Sequence, residues 1–137
     1  MNQEISHKSY LEIRIQPVFG PGRVDVYRHT SDGNENLIAG FPGLQDEGEF
    51  VELVTAVKEA LEVGPTNGII DFSGFSWLNS SGLGKLLVIW KEFNAKQGQL
   101  VLVGLKPRVK EVFRITKLIQ VFTIVESLDD ALALFEK

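Results

Sequence analysis

The sequence predicts a single α/β domain built on a mixed β-sheet. Three observations predict this fold: early stretches alternate apolar and polar residues, strand-like and helix-like segments then alternate, and the chain has 137 residues. A chain of this length forms about one domain and buries roughly two-thirds of its unfolded surface. Strands separated by helices pair in parallel and hairpins pair antiparallel, so we expect both kinds of pairing in one sheet.

The first 40 residues predict strands joined by hairpins. Apolar and charged residues alternate over Tyr10–Gln16 and again over Arg23–Arg28, which is the period of a half-buried strand. Turn residues at Ser31–Asn34 then connect the second strand to an apolar run at Leu37–Ala39. We interpret this region as two hairpin-linked strand pairs.

After Gly43 the apolar spacing becomes that of a helix. Apolar residues recur every three or four positions from Phe50 to Leu61, and Gly64-Pro65 ends the helix. Short apolar runs then predict three more strands, and periodic segments predict three more helices. In chain order these are a strand at 68–72, a helix from Leu83 closed by Gly98, a strand at 100–103, a helix from Pro107 to about Thr116, a strand at 121–125, and a helix capped by Ser127 and ending at Phe135.

Composition and charge exclude several classes of function. Cysteine is absent, which removes disulfides, thiolate nucleophiles and cysteine-ligated metals, and no His or Asp/Glu cluster has metal-ligand spacing. The formal charge of −4 offers no long-range attraction to nucleic acid or anionic lipid. Residues 1–8 lack the pattern of a signal peptide, and no apolar run approaches the roughly 18 residues of a membrane span. We therefore expect a soluble cytoplasmic protein without metal or cofactor, whose partner is a protein or a small ligand.

The stretch Asn79–Lys85 is the most informative part of the chain. It enters a predicted helix after a predicted strand, and in open α/β sheets sites form at the carboxyl ends of strands. Asn79 is a favoured N-cap, and Gly82 and Gly84 would allow close packing of the helix on the sheet. Two glycines in one first turn nevertheless cost about 1 kcal/mol each relative to Ala. We infer that a neighbouring strand or another protein comes close to this backbone.

The glycines do not form a nucleotide-binding motif. A P-loop requires glycine where Asn79 stands and Ser or Thr where Leu86 stands. The dinucleotide fingerprint requires a third glycine where Leu87 stands.

A serine hydrolase is the enzyme alternative. Its nucleophile would be Ser76 or Ser80, but the segment around Ser76 lacks the closing glycine of a nucleophile elbow. A catalytic triad would also need His7 or His29, which we interpret as surface histidines. The sequence therefore predicts no catalytic residues.

The segment Asp71–Gly84, DFSGFSWLNSSGLG, resembles the STAS domain family, the fold of bacterial anti-sigma factor antagonists. In that family an apolar strand ends in an Asp-x-Ser-like segment. An apolar pair and the motif Asp-Ser-Ser/Thr-Gly-Leu-Gly then open a helix. The resemblance covers about residues 37–135, and the N-terminal strands at 1–36 are longer than the usual entry. The whole chain, 1–137, is thus interpreted as one STAS-like domain.

The resemblance implies a site and its partners. The first serine of the motif is phosphorylated in the family, which corresponds to Ser80, with Ser81 as second choice. The implied binding surface consists of Asn79, Ser80, Ser81, Gly82, Leu83 and Gly84. The implied partners are a serine kinase of the histidine-kinase-like ATPase type that doubles as an anti-sigma factor, and a serine phosphatase.

Two further expectations follow from the resemblance. Trp77, Leu78 and Leu83 are expected in the core, with one of them at the rim of the contact surface. Asn79 stands where the family commonly has Asp, so the alternative is a non-phosphorylated STAS scaffold or small-ligand sensor in a larger signalling assembly.

Overall fold

The computed structural model describes residues 9–16, 23–30, 33–41, 47–64, 66–73 and 80–135. These residues form six strands, four α-helices and one 3₁₀ turn. The elements are β1 (Tyr10–Gln16), β2 (Arg23–Thr30), β3 (Gly33–Phe41), α1 (Glu47–Val63), β4 (Gly68–Asp71), α2 (Ser80–Ala95), β5 (Leu100–Val103), α3 (Pro107–Ile115), the 3₁₀ turn (Leu118–Gln120), β6 (Thr123–Val125) and α4 (Leu128–Phe135).

The six strands form one mixed sheet in the order β3-β2-β1-β4-β5-β6. The two hairpins make β1, β2 and β3 antiparallel, whereas β1, β4, β5 and β6 run parallel. Arg14 of β1 lies opposite Asp71 of β4, which lies opposite Val103 of β5. The carboxyl ends of these three strands therefore meet at one edge of the sheet, and the mixed α/β fold predicted from the sequence is confirmed.

Helices cover both faces of the sheet. The larger core joins α1, α2 and α3 to the sheet face that carries Leu11, Ile13 and Ile70. The opposite face, with Tyr10, Ile69 and Val101, packs against α4. Side chains of β1 alternate between the two cores, as the period of a strand requires.

Aromatic rings fix α3 on the first face. Phe113 packs edge-on against Phe72, which follows β4, and against Phe122, which precedes β6. The T-shaped geometry of these pairs adds about 1 kcal/mol each beyond the burial of area. These contacts hold α3 against the residues that adjoin β4 and β6.

Several element boundaries differ from those predicted, most clearly the starts of β3, β6 and α2. β3 begins at Gly33 and not near Leu37, because the β2–β3 pairing continues to Thr30 opposite Gly33. β2 belongs to both hairpins, so this region has three strands and not the two strand pairs predicted from the sequence. β6 begins at Thr123, because the preceding residues form the 3₁₀ turn, and α2 begins at Ser80, before the first predicted apolar position.

The predicted cap of the last helix is confirmed. The Asp130 backbone N–H donates a hydrogen bond to the Ser127 hydroxyl at 3.2 Å. This bond satisfies one of the N–H groups that a helix start leaves without an intrahelical partner.

Candidate functional site

The candidate site lies at the carboxyl edge of the sheet, where β4 leads toward α2. The Phe72 backbone N–H donates to the Val103 carbonyl at 2.9 Å, which extends the β4–β5 pairing by one residue. Ser73 then turns the chain, because its backbone N–H and its hydroxyl both donate to Asp71 Oδ1, at 2.9 and 2.7 Å. Asp71 therefore ends the strand and starts the loop, as Asx turns commonly do.

Gly104 holds the neighbouring loop against this turn. Its φ is +73°, and a Cβ added there would lie 3.1 Å from both the Cβ and the backbone nitrogen of Ser73. Glycine is thus required twice, by the left-handed backbone and by the close approach. The loops that follow β4 and β5 are in direct contact at this edge.

The start of α2 presents the residues that the sequence singled out. The helix begins at Ser80, and its first turn contains no acidic residue. Leu83 is buried in the core, 7% exposed, which confirms its predicted core position and leaves little of its side chain for a partner. Gly82 is half-buried and Gly84 is exposed. Asn79, Trp77, Leu78, Ser76 and the side chains of Ser80 and Ser81 lie outside the described residues.

Gly84 has open space above it. A Cβ added at Gly84 would meet no atom within 4 Å. Of the two explanations that the sequence offers for this glycine, packing against a neighbouring strand finds no support among the described residues. A partner outside the chain is the explanation that stays open.

Lys85 is a buried charged residue that the sequence did not single out. It is only 9% exposed, next to the start of α2. Lys85 lies one helical turn before the buried Ile89, on the same side of the helix. The helical spacing of the apolar residues could therefore have predicted that Lys85 is buried.

A second polar cluster lies on β1 and β2, and the sequence did not predict its burial. Glu12 is 6% exposed although it occupies a charged position in the alternating pattern of β1. Its carboxylate accepts two hydrogen bonds from the Arg14 guanidinium, both 3.1 Å long. The ring of Tyr27 lies 4.6 Å from Arg14 Cζ. Burial lowers the pKa of Arg14, but the charge and hydrogen bonds of Glu12 outweigh it, so that the pKa is raised and the guanidinium stays charged.

The same carboxylate also holds His29. The His29 Nε2 atom lies 2.8 Å from Glu12 Oε1, and the imidazole stacks on the Tyr10 ring with centroids 4.6 Å apart. The His29 side chain is 19% exposed, so this histidine is partly buried and not fully on the surface as we expected. Because His29 pairs with Tyr10 at the start of β1, it lies at the edge of the sheet opposite the start of α2. His7 lies outside the described residues.

Metal and membrane sites have no counterpart in the part of the chain that the structure describes. Within it, no group of three or more His, Cys, Asp or Glu side chains is placed to hold a metal ion. Nor does any described helix combine the length and the apolar character needed to cross a bilayer.

Comparisons of the sequence with known proteins agree with the geometry. The model of the STAS domain family matches residues 31–131. BtrV of Bordetella bronchiseptica, described as a candidate anti-sigma factor antagonist, is 30% identical over 100 residues, which cover 73% of this chain and 86% of BtrV. The anti-sigma-B factor antagonist of Listeria monocytogenes is 40% identical over 72 residues, which cover 50% of this chain and 63% of that protein.

Solved structures show the same fold. An anti-sigma factor antagonist (STAS) domain protein of Planctomyces limnophilus gives a TM-score of 0.58 at 19% identity, covering 92% of this chain and 99% of that one. A candidate anti-sigma factor antagonist of Thermotoga maritima gives a TM-score of 0.58 at 20% identity, covering 66% and 79%. The sheet order and the site at its carboxyl edge agree with these comparisons. Because the family model matches residues 31–131, the chain belongs to the STAS domain family, and its relatives make it, by homology, of the anti-sigma factor antagonist type.

Proposed function

We propose that this chain is an anti-sigma factor antagonist whose binding is switched by phosphorylation of Ser80. The observation that carries the proposal is the position of Ser80–Gly84, at the start of α2 and at the carboxyl edge of the sheet, with open space above Gly84. The related proteins of Bordetella bronchiseptica and Listeria monocytogenes support the antagonist part of this proposal.

A phosphate on Ser80 is compatible with the fold. Phosphoserine adds about −1.5 to −2 charges, and the first N–H groups of a helix have no intrahelical partner. The first turn of α2 contains no acidic residue that would repel the phosphate. The helix dipole favours a negative charge at this end. Phosphorylation therefore acts on the contact surface and leaves the domain folded.

The proposed partner is a serine kinase of the histidine-kinase-like ATPase type that also serves as the anti-sigma factor. It binds the unphosphorylated surface of Asn79, Ser80, Ser81, Gly82, Leu83 and Gly84, to which the buried Leu83 contributes little of its side chain. Gly84 lets the partner's backbone approach α2 closely. Adding phosphate puts charge and volume into this contact and releases the partner. A serine phosphatase restores binding.

The chain itself is proposed to perform no catalysis. His29 pairs with the residue that starts β1, and Arg14, four residues further, pairs with Asp71 at the carboxyl edge. Four strand residues span roughly 13 Å, and Glu12 holds the His29 ring in place. A hydroxyl at the start of α2 is therefore far from this histidine.

The test is phosphorylation by the cognate serine kinase with ATP, followed by mass analysis. We expect one phosphate on the wild-type chain, none on Ser80→Ala and one on Ser81→Ala, which is the matched control because it removes the adjacent hydroxyl. The phosphorylated chain should bind the kinase at least about tenfold more weakly in a titration, because of the added charge. Equal incorporation into Ser80→Ala and wild type would refute the assignment.

Asn79 favours a second candidate function, a STAS scaffold or ligand sensor that is not phosphorylated. Asn keeps the capping role but removes a carboxylate that a kinase could use to orient the serine. If the wild-type chain takes up no phosphate and Asn79→Asp does, the natural residue blocks the switch. Kinase binding without any phosphate transfer would then support the scaffold.

A further inference from the structure

The outer face of α1 is acidic. This helix holds five of the 18 acidic residues of the chain and one of its 14 basic residues. Its buried residues, Leu53, Val57, Ala60 and Leu61, face the core. The opposite side of the helix carries the exposed residues Val51, Glu52, Thr55, Lys58, Glu59 and Glu62. We call these six residues the acidic face. Glu62 forms an ion pair with Lys96 of α2 at 3.0 Å, which leaves Glu52 and Glu59 as the acidic residues with no ion pair among the described residues.

The outer face of α3 is basic. Residues 106–117 hold five of the 14 basic residues of the chain and one of its 18 acidic residues. The acidic one, Glu111, forms an ion pair with Arg114. Among the described residues Lys106, Arg108 and Lys117 form no ion pair, and all three are exposed. We call the exposed residues Lys106, Arg108, Glu111, Arg114, Ile115 and Lys117 the basic face.

Each face also contains an exposed apolar side chain. Val51 is 61% exposed on the acidic face and Ile115 is 68% exposed on the basic face. These are the two highest values among the large apolar residues that the structure describes. A single exposed apolar residue is ordinary on a protein surface and does not by itself mark an interface. In a contact whose rim is polar, however, each of these two residues could occupy the apolar centre.

The two faces lie on opposite flanks of the same helix layer. α1 ends beside β2, since a Cβ on Gly64 would lie 3.5 Å from Arg28 Nε. α3 packs against Phe72 and Phe122, which adjoin β4 and β6. In the sheet order β3-β2-β1-β4-β5-β6, α1 is thus on the β3 side and α3 on the β6 side. Both faces point away from the sheet, so one copy cannot join its own two faces.

We propose that the acidic face of one copy of this chain docks on the basic face of a second copy. Opposite charges meet across the contact, and Val51 and Ile115 are the apolar residues available to its centre. The occupant is a second copy because the chain itself carries both complementary surfaces. Because both faces lie on the same helix layer, a twofold dimer can pair the acidic face of each copy with the basic face of the other, whereas a single contact leaves one face of each kind free to bind further copies.

Salt dependence is the first test, by sedimentation of the full chain. In about 50 mM NaCl the weight-average mass should rise above the monomer mass of 15.3 kDa as the protein concentration increases. In about 0.5 M NaCl the charges are screened and the rise should disappear. A chain that sediments as a monomer at every concentration in the low-salt buffer would overturn the proposal.

A matched pair of charge reversals identifies the face. Arg108→Glu and Lys91→Glu change the net charge equally, and both positions are exposed on helices. Arg108→Glu should lower the association constant at least about tenfold, while Lys91→Glu, on α2, should leave it nearly unchanged. Equal effects of the two variants would refute the basic face as the docking surface.

Complementation excludes loss of fold as the cause. Glu59→Arg should weaken self-association as Arg108→Glu does, since it reverses a charge on the acidic face. In an equimolar mixture of the two variants, the positive charge introduced on the acidic face can meet the negative charge introduced on the basic face. The mixture should therefore associate more strongly than either variant alone. No gain on mixing would overturn the proposal.

Discussion

The two edges of the sheet use glycine for different reasons. The amino edge is the edge at which β4 and β5 begin. There, a Cβ on Gly68 would lie 2.5 Å from Phe93 Cζ, and one on Gly98 would collide with the Thr66 carbonyl group. At the carboxyl edge, a Cβ on Gly84 would meet no atom within 4 Å. The amino edge is therefore closed by packing within the chain. The carboxyl edge has one glycine that packing requires, Gly104, and one that the described packing does not require, Gly84, as the proposed binding surface there would need.

The largest effect is expected at the amino edge. Gly98→Ala should lower the free energy of unfolding by about 2–3 kcal/mol, because the Thr66 backbone must move to admit the methyl group. Urea unfolding followed by circular dichroism measures this change. If Gly98→Ala lowers the free energy of unfolding no more than the same substitution at an exposed glycine, the close contact of Gly98 with Thr66 is contradicted.

An intermediate effect is expected at Gly104, where the carboxyl edge also depends on packing. Gly104→Ala should cost about 1–2 kcal/mol, because alanine is strained at a φ of +73° and its methyl group would press on Ser73. Thermal unfolding should show a fall in Tm of several degrees. Kinase binding should weaken too, since Ser73 belongs to the loop that leads to Ser80. An unchanged Tm would contradict the close contact between the two loops.

The smallest effect on stability, and of opposite sign, is expected at Gly84. Gly84→Ala should raise the free energy of unfolding by up to about 1 kcal/mol, because alanine favours a helix and its methyl group has space. If a partner comes close to this backbone, the same variant should bind the kinase more weakly. Stability measured by urea unfolding and affinity measured by titration would then move in opposite directions. A more stable variant with unchanged affinity would contradict a close approach at Gly84.

The sequence was sufficient for most elements because their signals are local. The apolar run at Leu100–Val103 matches β5 residue for residue, and Pro107 marks the first residue of α3. The boundary of β3 was less accurate, since pairing with β2 draws residues that look like a turn into the strand. Patterns within one segment thus predict which elements exist, whereas their ends depend on neighbours.

The site was predictable only in part. The motif that opens α2 pointed to Ser80–Gly84, but the open space above Gly84 depends on how the whole domain packs. The burial of Glu12 was not predictable either, because its partner His29 comes from β2, 17 residues further along the chain. Arg14 of the same strand supplies the charged partner of Glu12, and the neighbouring strand supplies the hydrogen-bond partner and the ring that cover it, which the pattern of one strand does not show.

The contact between Gly104 and Ser73 also has a mechanical consequence. Ser73 belongs to the turn that leaves β4, and Gly104 belongs to the turn that leaves β5 toward α3. The two turns are so close that even a methyl group on Gly104 would press on Ser73. A molecule that displaces the turn at Ser73 should therefore also displace the turn at Gly104. Ser73 and Gly104 should be displaced together, which links the turn that leaves β4 to the turn that leaves β5.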